Sequence, residues 1–168
     1  MPSIKRLAQL KDENRKISMV TAYDYTAARI LNESNVDVLL VGDSASMVMH
    51  GHSTTVHATL EMMAWHTAAV CKGAPDKTVV ADMPFLAHRG SLDTTMDAVN
   101  LLMKAGATAL KIEGADGSLE TIAHICQSGV PVMGHLGLTP QSVHHLGGHK
   151  VQATNEEEAQ ALIENALA

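Results

Sequence analysis

The sequence predicts a parallel α/β barrel of the (β/α)8 kind, represented by about its first five βα units. Three observations predict it. Short apolar runs alternate five times with helix-length segments, the order that builds a parallel sheet through right-handed crossovers. Four consecutive runs end in polar groups: VDVLLVGDS in Asp43 and Ser44, VVADMP in Asp82, ALKIEG in Lys111 and Glu113, and VPVMGH in His135. Finally, an open doubly wound sheet gathers its ligand at one switch point, commonly behind a GxGxxG or GxxxxGK turn, and the chain has neither. Length pulls the other way, since 168 residues suit an open five-stranded sheet better than a closed barrel of ~250. The convergent strand ends outweigh length. The expectation is one domain over residues 1–168, an incomplete barrel with strands near 17–22, 37–43, 78–82, 108–113 and 130–135.

In chain order, Ser3 to Lys11 forms a short helix with Ile4, Leu7 and Ala8 on one face and Ser3 as its cap, covering one end of the fold. The strand at 17–22 leads to Asp24, placed to cap a helix through Ala27, Ala28, Ile30 and Leu31. The uninterrupted Val38–Val41 run reads as a strand covered on both faces, and Gly42 lets the backbone turn so that Asp43 projects from its end. Residues 45–58 form an irregular polar loop, longer than an ordinary connection. Leu60, Met63, Ala64, Thr67, Ala68 and Cys71 share a helical face closed by Gly73 and Pro75. Ser91 caps a helix whose apolar stripe is Leu92, Met96, Val99 and Met103. Ser118 opens another through Leu119, Ile122, Ile125 and Cys126. Thr154 and Glu157 form a capping box for a last helix through Ala159, Leu162, Ile163, Ala166 and Leu167.

Composition bounds function. Apolar residues make up 46% of the chain but only Tyr23, Tyr25, Trp65 and Phe85 are aromatic, so aliphatic side chains and ten Met must build the core. A net charge of -6 without a Lys/Arg cluster argues against nucleic acid. The N-terminus lacks an apolar signal core and no apolar run approaches the ~20 residues of a membrane span, so a cytoplasmic protein without a membrane partner is expected. Cys71 and Cys126 match no metal-ligand spacing and read as reduced core thiols.

Asp43, Asp82 and Glu113 on consecutive strand ends suit a hard divalent cation such as Mg²⁺. The structural alternative is that each caps a helix or pairs with Lys111 or Arg89. Lys111 lies two residues from Glu113, on the same strand face, and a lysine there suits an anionic substrate. The histidines of HGH and HHLGGH match no established zinc spacing. His135 ends a strand beside the other rim groups, where donation to a substrate oxygen competes with a packing role.

The stretches TAYDYTAA, LLVGDSASMVMHGH, TLEMMAWHTAAVCKGAP, VVADMPF, KAGATALKIEG and PVMGHLGLTPQSVHHLGGHKVQA resemble the ketopantoate (3-methyl-2-oxobutanoate) hydroxymethyltransferase family. The resemblance implies a barrel of the phosphoenolpyruvate/pyruvate type acting in pantothenate and coenzyme A synthesis. It would join a 2-oxo acid, 3-methyl-2-oxobutanoate, to the one-carbon unit of 5,10-methylenetetrahydrofolate through a Mg²⁺-stabilised enolate, giving 2-dehydropantoate. It further implies Asp43, Asp82 and Glu113 as Mg²⁺ ligands, the last through water. Asp43, Ser44, Asp82, Lys111 and His135 would contact the oxo acid, and the protein would be a homo-oligomer. Ser46, Ala115 and Ala153 stand where the family pattern has glycine. The family's general base, a glutamate on a later strand, is expected beyond Ala168, so no catalytic base is assigned here. Two other readings stand beside this one. A lyase or mutase of the same barrel group would lack GHLGLTPQS. A truncated, inactive product would bind metal or a partner chain without turnover.

Overall fold

The computed structural model describes residues 4–168, so the expected Ser3 cap lies outside the described residues. Five parallel strands pair in the order β1(Met19–Thr21), β2(Val38–Val41), β3(Thr78–Asp82), β4(Ala109–Glu113), β5(Val132–His135). A doubly wound sheet would reverse direction at a switch point; a strictly consecutive order is how a barrel winds. β1 pairs with β2 and β5 with β4, leaving one side of each unpaired among the described residues.

The register sorts the sheet into two faces. Leu39, Val41, Val79, Ala81, Leu110 and Ile112 point outward into the main core, beneath the helices. Val38, Val80 and Ala109 belong to a second apolar cluster with Leu40 and Met133, closed by Ile4 and Leu7 of α1(Ile4–Asp12). Helix α1 therefore covers one end, as its apolar face predicts, although Leu10 rather than Ala8 is its buried residue.

Strands are shorter than expected where their amides find other partners. Before β1, the Ser18 amide and hydroxyl both donate to Asp37 Oδ2 at 2.8 Å. Before β5, the Val130 amide turns back to the Ile125 carbonyl and Pro131 has no N–H to offer. In α2(Tyr25–Asn32) Asp24 caps as predicted, accepting from the Ala27 amide at 2.8 Å. Thr59 and Ser91 likewise cap α4(Leu60–Gly73) and α5(Leu92–Lys104). Gly73 lies where α4 meets α2; a Cβ there would sit 2.6 Å from the Tyr25 carbonyl oxygen.

Four local expectations change. The 45–58 segment contains a helical turn, α3(Ala45–Val48), and a 3-10 turn at Thr55–His57, joined by Ser46 Oγ donating to the Thr54 carbonyl at 3.0 Å. The buried stripe of α5 is Thr95, Ala98, Val99 and Leu102, whereas Leu92 is 45% exposed. In α6(Leu119–Gln127) only Ile125 is buried and Cys126 is exposed, so Cys126 is not a core thiol. The one-turn helix α7(Val143–Leu146) precedes α8(Glu156–Leu167), whose cap shifts by one residue: Asn155 accepts from the Glu158 amide, and Glu158 from the Thr154 amide. None of the described helices is long and apolar enough to cross a membrane.

Candidate active site

The inner face of the sheet changes character along its length. Beyond the apolar layer of Val38, Val80 and Ala109, the same face presents Asp82, Lys111, Glu113 and His135, with Asp82 beside Lys111 and Glu113 beside His135 in register. Alternation along a strand puts residues 109, 111 and 113 on one side. Asp43 joins them from the turn after β2, its amide donating to Asp82 Oδ2 at 3.1 Å. Gly42 serves that turn through space and not through an unusual φ, since a Cβ would fall 2.8 Å from Ser44 Oγ.

Asp43, Asp82, Lys111 and Glu113 are all buried, Lys111 being the most exposed at 9%, and His135 is half-buried. Lys111 Nζ lies 2.8 Å from Asp82 Oδ1 and 3.4 Å from Glu113 Oε1. Burial alone would lower the lysine pKa, but the surrounding carboxylates, Asp82 foremost, outweigh it and hold the ammonium above its usual range. Glu113 is lowered on balance: burial pushes it up, and His135, Lys111 and the Gln141 amide bring it down. Its Oε1 faces His135 Nδ1 at 3.1 Å and its Oε2 accepts from the Gln141 amide at 3.0 Å. A carboxylate can only accept, so Nδ1 carries the imidazole proton and Nε2 is left for another partner. Neutral His135 thus offers an acceptor, and donation to a substrate oxygen requires the imidazolium.

Asp43 is the strained member of the set. Burial first, and the Asp82 charge second, push its pKa up to about 7. Asp82 is also raised, by burial, against the opposing pull of Lys111. The Lys111 ammonium, 2.8 Å away, faces Asp82 Oδ1, and Asp82 Oδ2 accepts from the Asp43 amide. Three buried carboxyl groups share one lysine. That excess of acidic oxygen is what a hard, oxygen-seeking cation would relieve. Among the described residues no group of three or more His, Cys, Asp or Glu side chains is arranged to hold a metal ion, so a cation here would rest on two direct protein ligands. Asp43 and Asp82 are the open donors, while Glu113 has both oxygens engaged.

Sequence reasoning missed two groups. Gln141 is buried, and its Nε2 donates to Asp43 Oδ2 at 2.8 Å and to the Met83 carbonyl at 2.9 Å, while its backbone amide holds Glu113. One residue from the loop after β5 thereby ties two strand ends together. Tyr23, after β1, meets Ser44 Oγ at 2.8 Å and orients it. Gln141 sits within GHLGLTPQS and Tyr23 within TAYDYTAA, so their presence was visible but their partners were not.

The fold has counterparts among solved structures. A phosphonopyruvate hydrolase in complex with oxalate and Mg²⁺ superposes with a TM-score of 0.67 over 95% of this chain and 67% of that one, at 11% identity. A 2,3-dimethylmalate lyase of the PEP mutase/isocitrate lyase superfamily gives 0.66 over 97% and 57%, at 17% identity. At these identities the likeness is one of fold alone. The family model of ketopantoate hydroxymethyltransferase matches residues 2–168, and the chain belongs to that family. A 3-methyl-2-oxobutanoate hydroxymethyltransferase of Coxiella burnetii (strain Dugway 5J108-111) is 55% identical over 161 residues, 95% of this chain and 60% of that protein. Its counterpart in Bdellovibrio bacteriovorus is 53% identical over 167 residues, 99% of this chain and 64% of that protein. The chain thus spans about three fifths of the length of these relatives.

Proposed function

We infer that this chain carries the metal and oxo-acid half of a hydroxymethyltransferase site, transferring the one-carbon unit of 5,10-methylenetetrahydrofolate to 3-methyl-2-oxobutanoate. The observation that carries the reading is the buried group of Asp43, Asp82 and Glu113, three carboxyl groups around the single ammonium of Lys111. The cation is Mg²⁺, held directly by Asp43 and Asp82 and by Glu113 through water; when bound it supplies Lewis-acid stabilisation of charge on the oxo oxygen. Lys111 neutralises the carboxylate of the oxo acid. Ser44, oriented by Tyr23, hydrogen-bonds the same substrate. Gln141 keeps Asp43 and Glu113 from swinging apart. His135, fixed by Glu113, turns Nε2 toward the substrate. The reaction removes a proton from C3, moves the electron pair toward the oxo oxygen, and forms a bond from C3 to the folate methylene carbon; both bonds of that carbon to the folate nitrogens break, one water supplies the hydroxyl of the product, and the C3 proton and the second water proton end on the two nitrogens. The protein works in the cytoplasm as a homo-oligomer, with the 2-oxo acid and folate as its small-molecule partners.

The test is deuterium incorporation at C3 of 3-methyl-2-oxobutanoate in D₂O, followed by NMR on the whole polypeptide that carries this sequence. Exchange should require Mg²⁺ and fall by at least about 100-fold in Asp82→Asn. Lys111→Ala should weaken oxo-acid binding while leaving folate binding nearly unchanged. Exchange indifferent to Mg²⁺ or to Asp82 would overturn the reading, and equal loss of both substrates in Lys111→Ala would make that lysine structural.

A further inference from the structure

A second cluster of ligating side chains lies away from the carboxylates, between the loop after α3 and helix α4. His50 Nε2 and His66 Nε2 are 2.8 Å apart, with the rings edge to face at 76°. His66 Nδ1 faces the Tyr23 carbonyl, which can only accept, so Nδ1 carries the proton and Nε2 holds a lone pair. That is the tie by which metal-ligating histidines are oriented, with the far ring nitrogen donating to backbone. In the structure His50 Nε2–H donates to this lone pair. His50 is exposed, so its proton can move through solvent to Nδ1 and its ring can swing outward; an ion taken between the two Nε2 atoms would replace their 2.8 Å hydrogen bond and part them, with no net proton released.

The surrounding cavity, about 490 Å³, is lined by Met49, Met62, Trp65 and Glu61 as well as the two histidines. Met62 and His66 are four residues apart on α4 and share a face. Asp24 also borders the cavity, but its carboxylate caps α2. Among the described residues no third His, Cys, Asp or Glu completes the set; the sulfurs that line the cavity are those of Met49 and of Met62, which also packs against the main core. Imidazole with thioether and few ligands suits a soft monovalent ion; zinc would want four ligands and magnesium oxygen. We propose that His50 and His66, with the thioethers of Met49 and Met62, form a binding site for cuprous ion.

Trp65 supplies a local reporter: it is the single tryptophan of the chain, 79% exposed, and lines this cavity. The full chain, carrying Cys71→Ala and Cys126→Ser to remove competing thiols, would be titrated anaerobically with Cu⁺ buffered by a chromophoric chelator. Trp65 fluorescence should quench saturably at one equivalent. His50→Gln, on an exposed loop where the fold is not at stake, and His66→Gln should each weaken binding at least about tenfold. Met62→Leu should remove sulfur from the copper shell seen by X-ray absorption. Undiminished quenching in the double histidine variant, or no quenching at one equivalent in the parent, would overturn the site.

Discussion

Two adjacent residues on β4 separate what the sheet does to fold from what it does chemically. Leu110 points outward and is fully buried among aliphatic side chains beneath the helices. Lys111 points inward and is nearly as buried, among Asp82, Glu113 and Asp43. The outer face is apolar along its whole length, and the inner face only as far as the layer closed by α1. Burial is therefore no guide to role in this sheet. What distinguishes the two faces is whether the buried group is one that water would otherwise have solvated.

That contrast can be broken by the pH dependence of two substitutions. Leu110→Ala should cost about 2–5 kcal/mol at every pH, because an aliphatic cavity does not titrate. Lys111→Met should cost about 3–5 kcal/mol near neutrality, because it leaves Asp82 and Glu113 as buried charges without their cation. Protonating those carboxylates relieves the second loss and not the first, so on acidification the Lys111→Met stability curve should approach the parent's while the Leu110→Ala curve stays below it. A Lys111→Met penalty that stayed constant down to pH 4 would show that the lysine acts through its packing alone.

The outward face was readable because its cause is periodic. Val38–Val41 and Val79–Ala81 are apolar without interruption, and the caps at Asp24 and Ser91 follow from a polar residue placed before a helical stripe. The rim residues Asp43, Asp82, Lys111, Glu113 and His135 were legible as exceptions to that pattern. Gln141 was not, because its importance lies in reaching Asp43, 98 residues away in sequence, and no local spacing encodes such a contact. Cys126 and Leu92 were misplaced for a related reason: helical periodicity says which residues share a face, and not how far the neighbouring elements extend to cover it. Ala153 adopts φ of +54° where the family pattern has glycine, a local departure whose conformation appears only in three dimensions.

His88 extends the comparison to a buried polar group that has neither role. It follows β3, is 2% exposed, and neither ring nitrogen has a hydrogen-bond partner. Burial, with the Arg89 charge adding to it, pushes its pKa down to about 4. The unfolded chain, with an ordinary imidazole near 6.5, binds this proton more readily. The stabilising contribution is thus complete above pH 6.5 and lost as pH falls toward 4, on the order of 3 kcal/mol in all. Asp43 and Asp82, both raised, act in the opposite direction and are common to parent and variant. Subtracting the stability–pH curve of His88→Leu from that of the parent should therefore isolate a slope confined to this window. A difference curve flat from pH 4 to 7 would mean that His88 is protonated in the fold or solvated there.

The smallest effect is expected at the edge, where the two faces cease to differ. Met19, Val20 and Thr21 of β1 are all exposed, in contrast to β3 and β4, whose residues are buried throughout. Val20 pairs with the fully buried Leu39 through the backbone, yet is itself 39% exposed. Val20→Lys should accordingly change stability within about 0.5 kcal/mol, since it places a charge where water already reaches. A charge on an unpaired edge also opposes strand addition by another chain, so the variant should scatter less light at high concentration. Both measurements belong together. If a further strand or a second copy covers β1 in solution, Val20→Lys would instead bury an unpaired ammonium and cost several kcal/mol. In that case the open edge would prove to be a covered one, and the inner and outer faces would continue past β1.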